Sequence, residues 1–169
     1  MAIRFSGAVL ILAGCTGIGF SAASLCRTKV RVIQHFLYLI DCMVIELNCR
    51  VTPLPELCRV VSEIAGPFKN AIVMFSHALD TQIAPDPVAC MEYTVGNIRI
   101  SCPEFLLCLR ELSGALGCYD LVGQVRQLEV LRSKWSKILD GLEQDLTLKI
   151  RNFRIFGICA GCALAILLV

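Results

Sequence analysis

Charge is scarce in this chain. Only 18% of its 169 residues are Asp, Glu, Lys or Arg, and the formal net charge is +2. So small an excess, with no basic stripe interleaved with aromatics, argues against a nucleic-acid binder. Histidine is nearly absent, and both copies, His35 and His77, lack a cysteine or carboxylate at metal-ligand spacing on a shared face. There is no Gly-rich phosphate loop, Walker lysine, nucleophile elbow or paired-carboxylate signature. Period-two alternation bounded by turn residues is also missing, so no strand is expected. These absences point to a non-enzymatic, all-α protein with no cofactor and no small-molecule substrate.

Apolar residues, by contrast, are abundant. They make up 56% of the chain, and the mean hydropathy is +0.70. A soluble domain seldom reaches that average, so membrane segments are expected. Eleven cysteines, an odd number, lie at apolar helical positions without paired spacing. That pattern fits free thiols packing as small hydrophobes in a reducing compartment better than a secreted disulfide framework.

Phe5 to Leu25 is uncharged and long enough to cross a bilayer at about 1.5 Å per residue. Ala13, Gly17 and Ser21 recur every four residues, a small-residue face that lets helices approach closely in lipid. Ser21-Ala22-Ala23 also offers a cleavage region, so a secreted helical domain behind a removed signal is a rival reading. Arg27, Lys29 and Arg31 follow this run. Lys149, Arg151 and Arg154 precede a second apolar run, Ile155 to Val169, and no charge follows it. The positive-inside rule then places everything between the runs in the cytoplasm. The expected division is a membrane helix over 1–26, a cytoplasmic bundle over 27–152, and a second membrane helix over 153–169.

Between the runs, periodicity and punctuation predict about six helices with short loops. A helix over 29–48 carries one polar stripe at Arg31, Gln34 or His35, Asp41 and Asn48, with Tyr38 and Ile45 filling the rhythm. Asp41 and Glu46 argue against this helix lying in lipid. Arg50-Val51-Thr52-Pro53-Leu54-Pro55-Glu56-Leu57 is a strong helix start. Thr52 reads as the N-cap accepting from the Leu54 N–H, Pro53 as the first helical residue, and Glu56 as an acid near the positive helix end. That helix extends to Ala65, and Gly66-Pro67 starts another reaching Leu79. Asp86 caps a helix from Pro87 to Gly96, and Ser101 with Glu104 forms a capping box for a helix ending at Gly114 or Gly117. From Asp120 the apolar positions Leu121, Val125, Leu128, Leu131, Trp135, Ile138, Leu142, Leu146 and Ile150 form a sustained seam. The last bundle helix is therefore expected to be continuous with the second span.

Two features of that span admit different readings. Gly157 and Gly161 form a GxxxG suited to helix packing in lipid. Cys159 and Cys162 spell C-x-x-C, and a membrane thiol or redox protein using that pair is the alternative function.

The assembled pattern resembles the stage III sporulation protein AB family of endospore-forming bacteria. The resemblance is carried by Gly7 through Phe20, by Ile45-Glu46-Leu47 with Thr52-Pro53-Leu54-Pro55-Glu56-Leu57, and by Gly66-Pro67. Leu112, Leu116-Gly117, Asp120 and Gln124 extend it, and Phe156-Gly157 with Gly161 closes it. The cysteine content is heavier than the family pattern, and Thr81 to Ile100 matches it loosely.

What this resemblance implies is a multi-pass protein of the mother-cell membrane facing the forespore, a subunit of the channel complex joining the two cells. The family's cytoplasmic helices are similar to those of the inner-membrane platform proteins of type II secretion and type IV pilus systems. The implied partners are a secretion-type ATPase resembling stage III sporulation protein AA, and the other membrane subunits of the complex. Thr52, Pro53, Leu54, Pro55 and Glu56, with Gly117, Asp120 and Gln124, are the candidates for meeting a partner or fixing bundle geometry. The competing view is that they only cap helices.

Overall fold

The protein is helical throughout the part described by a computed structural model, which covers residues 27–50, 52–99, 102–116 and 120–168, the side chains of 147 and of 149 onward excepted. Helix α1 covers residues 27–49. It is followed by α2 (Leu54–Ser62), a 3₁₀ turn (Gly66–Phe68), α3 (Lys69–Asp80), α4 (Pro87–Asn97), α5 (Pro103–Ala115) and α6 (Leu121–Leu168). Among the described residues there is no strand. Two compact units are distinguished, Arg31–Leu139 and a second made of Met1–Val30 with Asp140–Val169. The helical body described below is the first.

Local chemistry explains most of the helix boundaries. Asp86 has extended backbone and accepts the Ala89 N–H at 2.6 Å, with Pro87 behind it, as a capped start requires. Gly66 sits at φ +54°, a left-handed conformation that ordinary residues avoid, and so breaks the chain between α2 and α3. Asp120 accepts the Gly123 N–H at 3.0 Å through its carboxylate and the Gln124 N–H at 2.9 Å through its carbonyl, which starts α6.

Three expected boundaries are corrected. Thr52 is not the cap of α2. The Leu57 N–H bonds the Pro53 carbonyl at 2.9 Å, so Pro53 holds the cap position, and a prolyl ring has no side-chain acceptor to offer. Pro55 compensates in part, because it removes one of the N–H groups that the first turn would leave unpaired. The cap of α5 is Cys102, whose thiol donates to Glu104 Oε2 at 3.4 Å, while Ser101 lies outside the described residues. Helix α5 also runs through Gly114 and ends at Ala115.

The core of the body is aromatic and is shared by four elements. Phe36 of α1 meets Phe68 of the 3₁₀ turn at 5.7 Å and the edge of Trp135 of α6 at 5.5 Å. Phe68 in turn stacks on Phe105 of α5 at 4.3 Å with planes 6° apart. Such pairs add about 0.5–1.5 kcal/mol beyond the area they bury. Around them Ile33, Leu39, Ile40, Met43, Leu57, Ile72, Phe75, Leu109, Leu112 and Leu128 are fully buried. The predicted seam of α6 is inward at Leu128, Leu131 and Trp135, but Ile138 is exposed. On α1, Tyr38 and Ile45 lie exposed in the stripe that the periodicity assigns to water.

Among the described residues no helix is long and apolar enough to cross a membrane. The first expected span, with Ala13, Gly17 and Ser21, lies outside the described residues. The second falls on the end of α6, where the backbone is helical and the side chains, Gly157, Cys159, Gly161 and Cys162 among them, are outside the description.

Candidate interaction surfaces

The Thr52-to-Glu56 turn is tied to the body through its backbone. Ser76 of α3 donates its hydroxyl to the Pro55 carbonyl at 2.9 Å, pinning the first turn of α2 against the middle of α3. Further along, Arg59 of α2 pairs with Asp80 of α3 at 2.8 Å. Pro53 and Glu56 are exposed, whereas Thr52, Leu54 and Pro55 are half-buried. The turn therefore presents a proline and a carboxylate to water while its neighbours settle onto the body. Glu56 lies in the first turn, where the helix dipole favours a negative charge.

The second candidate segment divides differently. Gly117 lies outside the described residues. Asp120 is exposed and serves as the cap of α6, and Gln124 is half-buried one turn further on. Two shallow grooves lie elsewhere on the body. One, of about 190 Å³, is lined by Arg59, Val73, Ser76, His77 and Asp80. The other, of about 290 Å³, runs between α5 and α6 and includes Gly114, Gln127, Val130 and Lys134. The described lining of these two grooves includes no residue of the turn or of the Asp120 segment.

Long-range polar ties fix α6 in the body. Arg132 donates to Asp41 of α1, and that carboxylate raises the guanidinium pKa through the hydrogen bond first and its charge second. Glu111 of α5 accepts from the Trp135 indole at 2.9 Å and from Lys134 at 2.6 Å. Arg110 of α5 bonds both oxygens of Glu92 of α4, at 2.8 and 3.2 Å. Sequence reasoning singled out neither Glu111 nor Arg132. The available signal was that each stands next to an apolar residue, Leu112 for Glu111 and the seam residue Leu131 for Arg132.

The thiols divide by burial. Cys58, Cys90 and Cys108 are buried, Cys42 and Cys102 are half-buried, and Cys49 is exposed, all of them free. Burial, with the nearby Asp80 carboxylate second, pushes Cys58 up to about 12. Cys108 is raised as well, chiefly by burial and then by Glu111. Two neutral, sealed thiols are packing groups. Tyr38 is raised by its hydrogen bond with Cys42 one turn along α1.

His35 and Gly66 explain each other. A Cβ at position 66 would stand 3.0 Å from His35 Nδ1, so the imidazole fills the space that glycine leaves beside the α2–α3 break. Among the described residues no group of three or more His, Cys, Asp or Glu is placed to hold a metal.

Comparison with curated proteins and with solved structures returns no match. The family model for stage III sporulation protein AB matches residues 4–169. With the Thr52-to-Leu57 turn, the Gly66-Pro67 break and the Asp120 start of α6 all in place on an all-helical body, that match over nearly the full length shows that the chain belongs to the stage III sporulation protein AB family.

Proposed function

We propose that this sporulation protein is a non-enzymatic membrane platform subunit of the channel complex between mother cell and forespore. In this reading it is anchored in the mother-cell membrane by apolar segments at both ends, and its helical body faces the cytoplasm. The body docks a secretion-type ATPase, stage III sporulation protein AA, beside the other membrane subunits of the complex. The supporting observation is that α6 carries both Trp135, sealed in the core of the body, and the apolar run that begins at Ile155. A docked motor that displaces the body acts on the helix that bears the anchor.

The Thr52-to-Glu56 turn is the proposed contact with the ATPase. It is exposed at Pro53 and Glu56, and it is held by a bond to its backbone, so those two side chains are spare for a partner. The test is co-purification of the ATPase with the full-length protein from detergent extracts of sporulating cells. Pro53→Ala with Pro55→Ala should weaken recovery of the ATPase more than it lowers the abundance of the protein. Unchanged recovery removes the turn from the interface. If the unsubstituted protein recovers no ATPase, the docking role fails.

A further inference from the structure

We infer that Gly141 is a flexion point in α6, a joint at which the helix bends between the body and the apolar run that begins at Ile155. What the joint serves rests on the platform reading above, while its existence is a property of α6 alone.

Helix α6 changes character along its length. Its first part is fastened: Leu128, Leu131 and Trp135 are buried, Arg132 bonds Asp41, and Lys134 and Trp135 bond Glu111. From Ser136 to Leu148, by contrast, no described side chain of α6 is buried, and the body itself closes at Leu139. A helix without a packed face depends on its own backbone bonds and on the helix propensity of its residues.

That propensity is low at Asp140-Gly141. Both residues are weak helix formers, and glycine leaves its backbone the widest freedom. Close approach and left-handed backbone are the usual reasons for a glycine, and Gly66 shows both. Neither holds at Gly141, where a Cβ would meet nothing within 4 Å and φ is not positive. Gly96 and Gly114 are equally open, but each is the next-to-last residue of its helix, where it bends nothing. Gly141 lies inside an unbroken helix, Leu121–Leu168, on the stretch that no packing supports. Backbone freedom is what it supplies there. A motor that displaces the body then sends a pull along α6 to the anchor, and the bend at Gly141 absorbs the tilt.

The test uses full-length protein in detergent, with pairs of spin labels carried on genetically encoded azide residues so that the eleven cysteines stay untouched. Val130 and Leu148 are exposed and straddle Gly141. On a straight helix they share one side and stand about 27 Å apart along the axis. Val122 and Lys137, also exposed, lie wholly before the glycine. Pulsed dipolar spectroscopy should give the first pair a distance distribution about twice as broad as the second. Gly141→Ala, a favourable change at an exposed helix position, should narrow it to the width of the second pair at unchanged circular dichroism. Equal widths for the two pairs in the unsubstituted protein overturn the inference, as does a broad first pair that Gly141→Ala leaves broad. Should the same preparation recover no ATPase while Gly141→Ala still narrows the distribution, the joint stands and the docking role falls.

Discussion

The carboxylate of Glu111 on α5 accepts the indole N–H of Trp135 on α6 at 2.9 Å and is itself held by Lys134 at 2.6 Å. Trp135 is 1% exposed, so its N–H has no ready access to water. Glu111→Ala leaves that donor unpaired, and a loss of about 1–3 kcal/mol is expected. Glu111→Gln keeps an acceptor and gives up the ion pair, which at an exposed lysine is worth about 1 kcal/mol or less. Urea unfolding followed by circular dichroism should rank the two variants in that order.

Gly66 should tolerate no side chain. Its φ of +54° disfavours any L-residue by about 1–2 kcal/mol, and the His35 ring stands where a Cβ would go. Gly66→Ala is expected to lower the thermal midpoint clearly. Adding His35→Ala should restore only the steric part, leaving a residual loss that the backbone accounts for.

The two aspartate caps give a further test. Asp86→Ala and Asp120→Ala should each cost about 1 kcal/mol, and the pair should add, since each serves a different helix. Thr52→Ala should cost little, because Pro53 and not Thr52 occupies the cap of α2. Equal losses at Thr52 and Asp86 in chemical denaturation would restore the threonine to that role.

Alkaline pH should weaken the fold. The Cys58 thiol rises from 9.0 to about 12 because burial penalises the thiolate, so the folded state holds a proton that the unfolded state releases. The associated stability is complete below about pH 9 and is lost as pH climbs toward 12, by up to about 1.4 kcal/mol per unit. Cys108 acts in the same direction. Unfolding midpoints measured from pH 8 to pH 10 should fall, and Cys58→Ala should flatten that slope. Near neutrality a thiol reagent should modify the exposed Cys49 before the buried Cys58, Cys90 and Cys108.

Helix positions were legible in the chain wherever punctuation and period agreed. Asp86-Pro87 and Gly66-Pro67 each restrict the backbone through one or two residues, and the structure has breaks at both. The inward run Leu128, Leu131, Trp135 follows from spacing alone, yet spacing cannot say that Phe36 is what meets Trp135. Partners across a bundle depend on the crossing of two helices, and no single helix encodes that. Thr52 was misplaced because two prolines compete to define one start, and the first carbonyl to receive a helical bond decides between them. The Cys102 cap has a similar cause: a thiol is a poor rival to serine in propensity, but it stood where the chain turned. Of the candidate site, the Thr52-to-Glu56 turn was visible as a motif. The α5–α6 groove was not, since a groove exists only once a second helix stands beside the first.

The chain has one tryptophan, and it sits where α1 and α6 cross beside the Glu111 carboxylate. Its intrinsic emission therefore comes from a single place and needs no added label. A ligand that loosens α6 from its neighbours would let solvent reach the indole and shift its light to the red, while one that only rests on the outer surface would leave the spectrum unchanged. The protein thus contains its own optical gauge of whether an encounter reaches the interior.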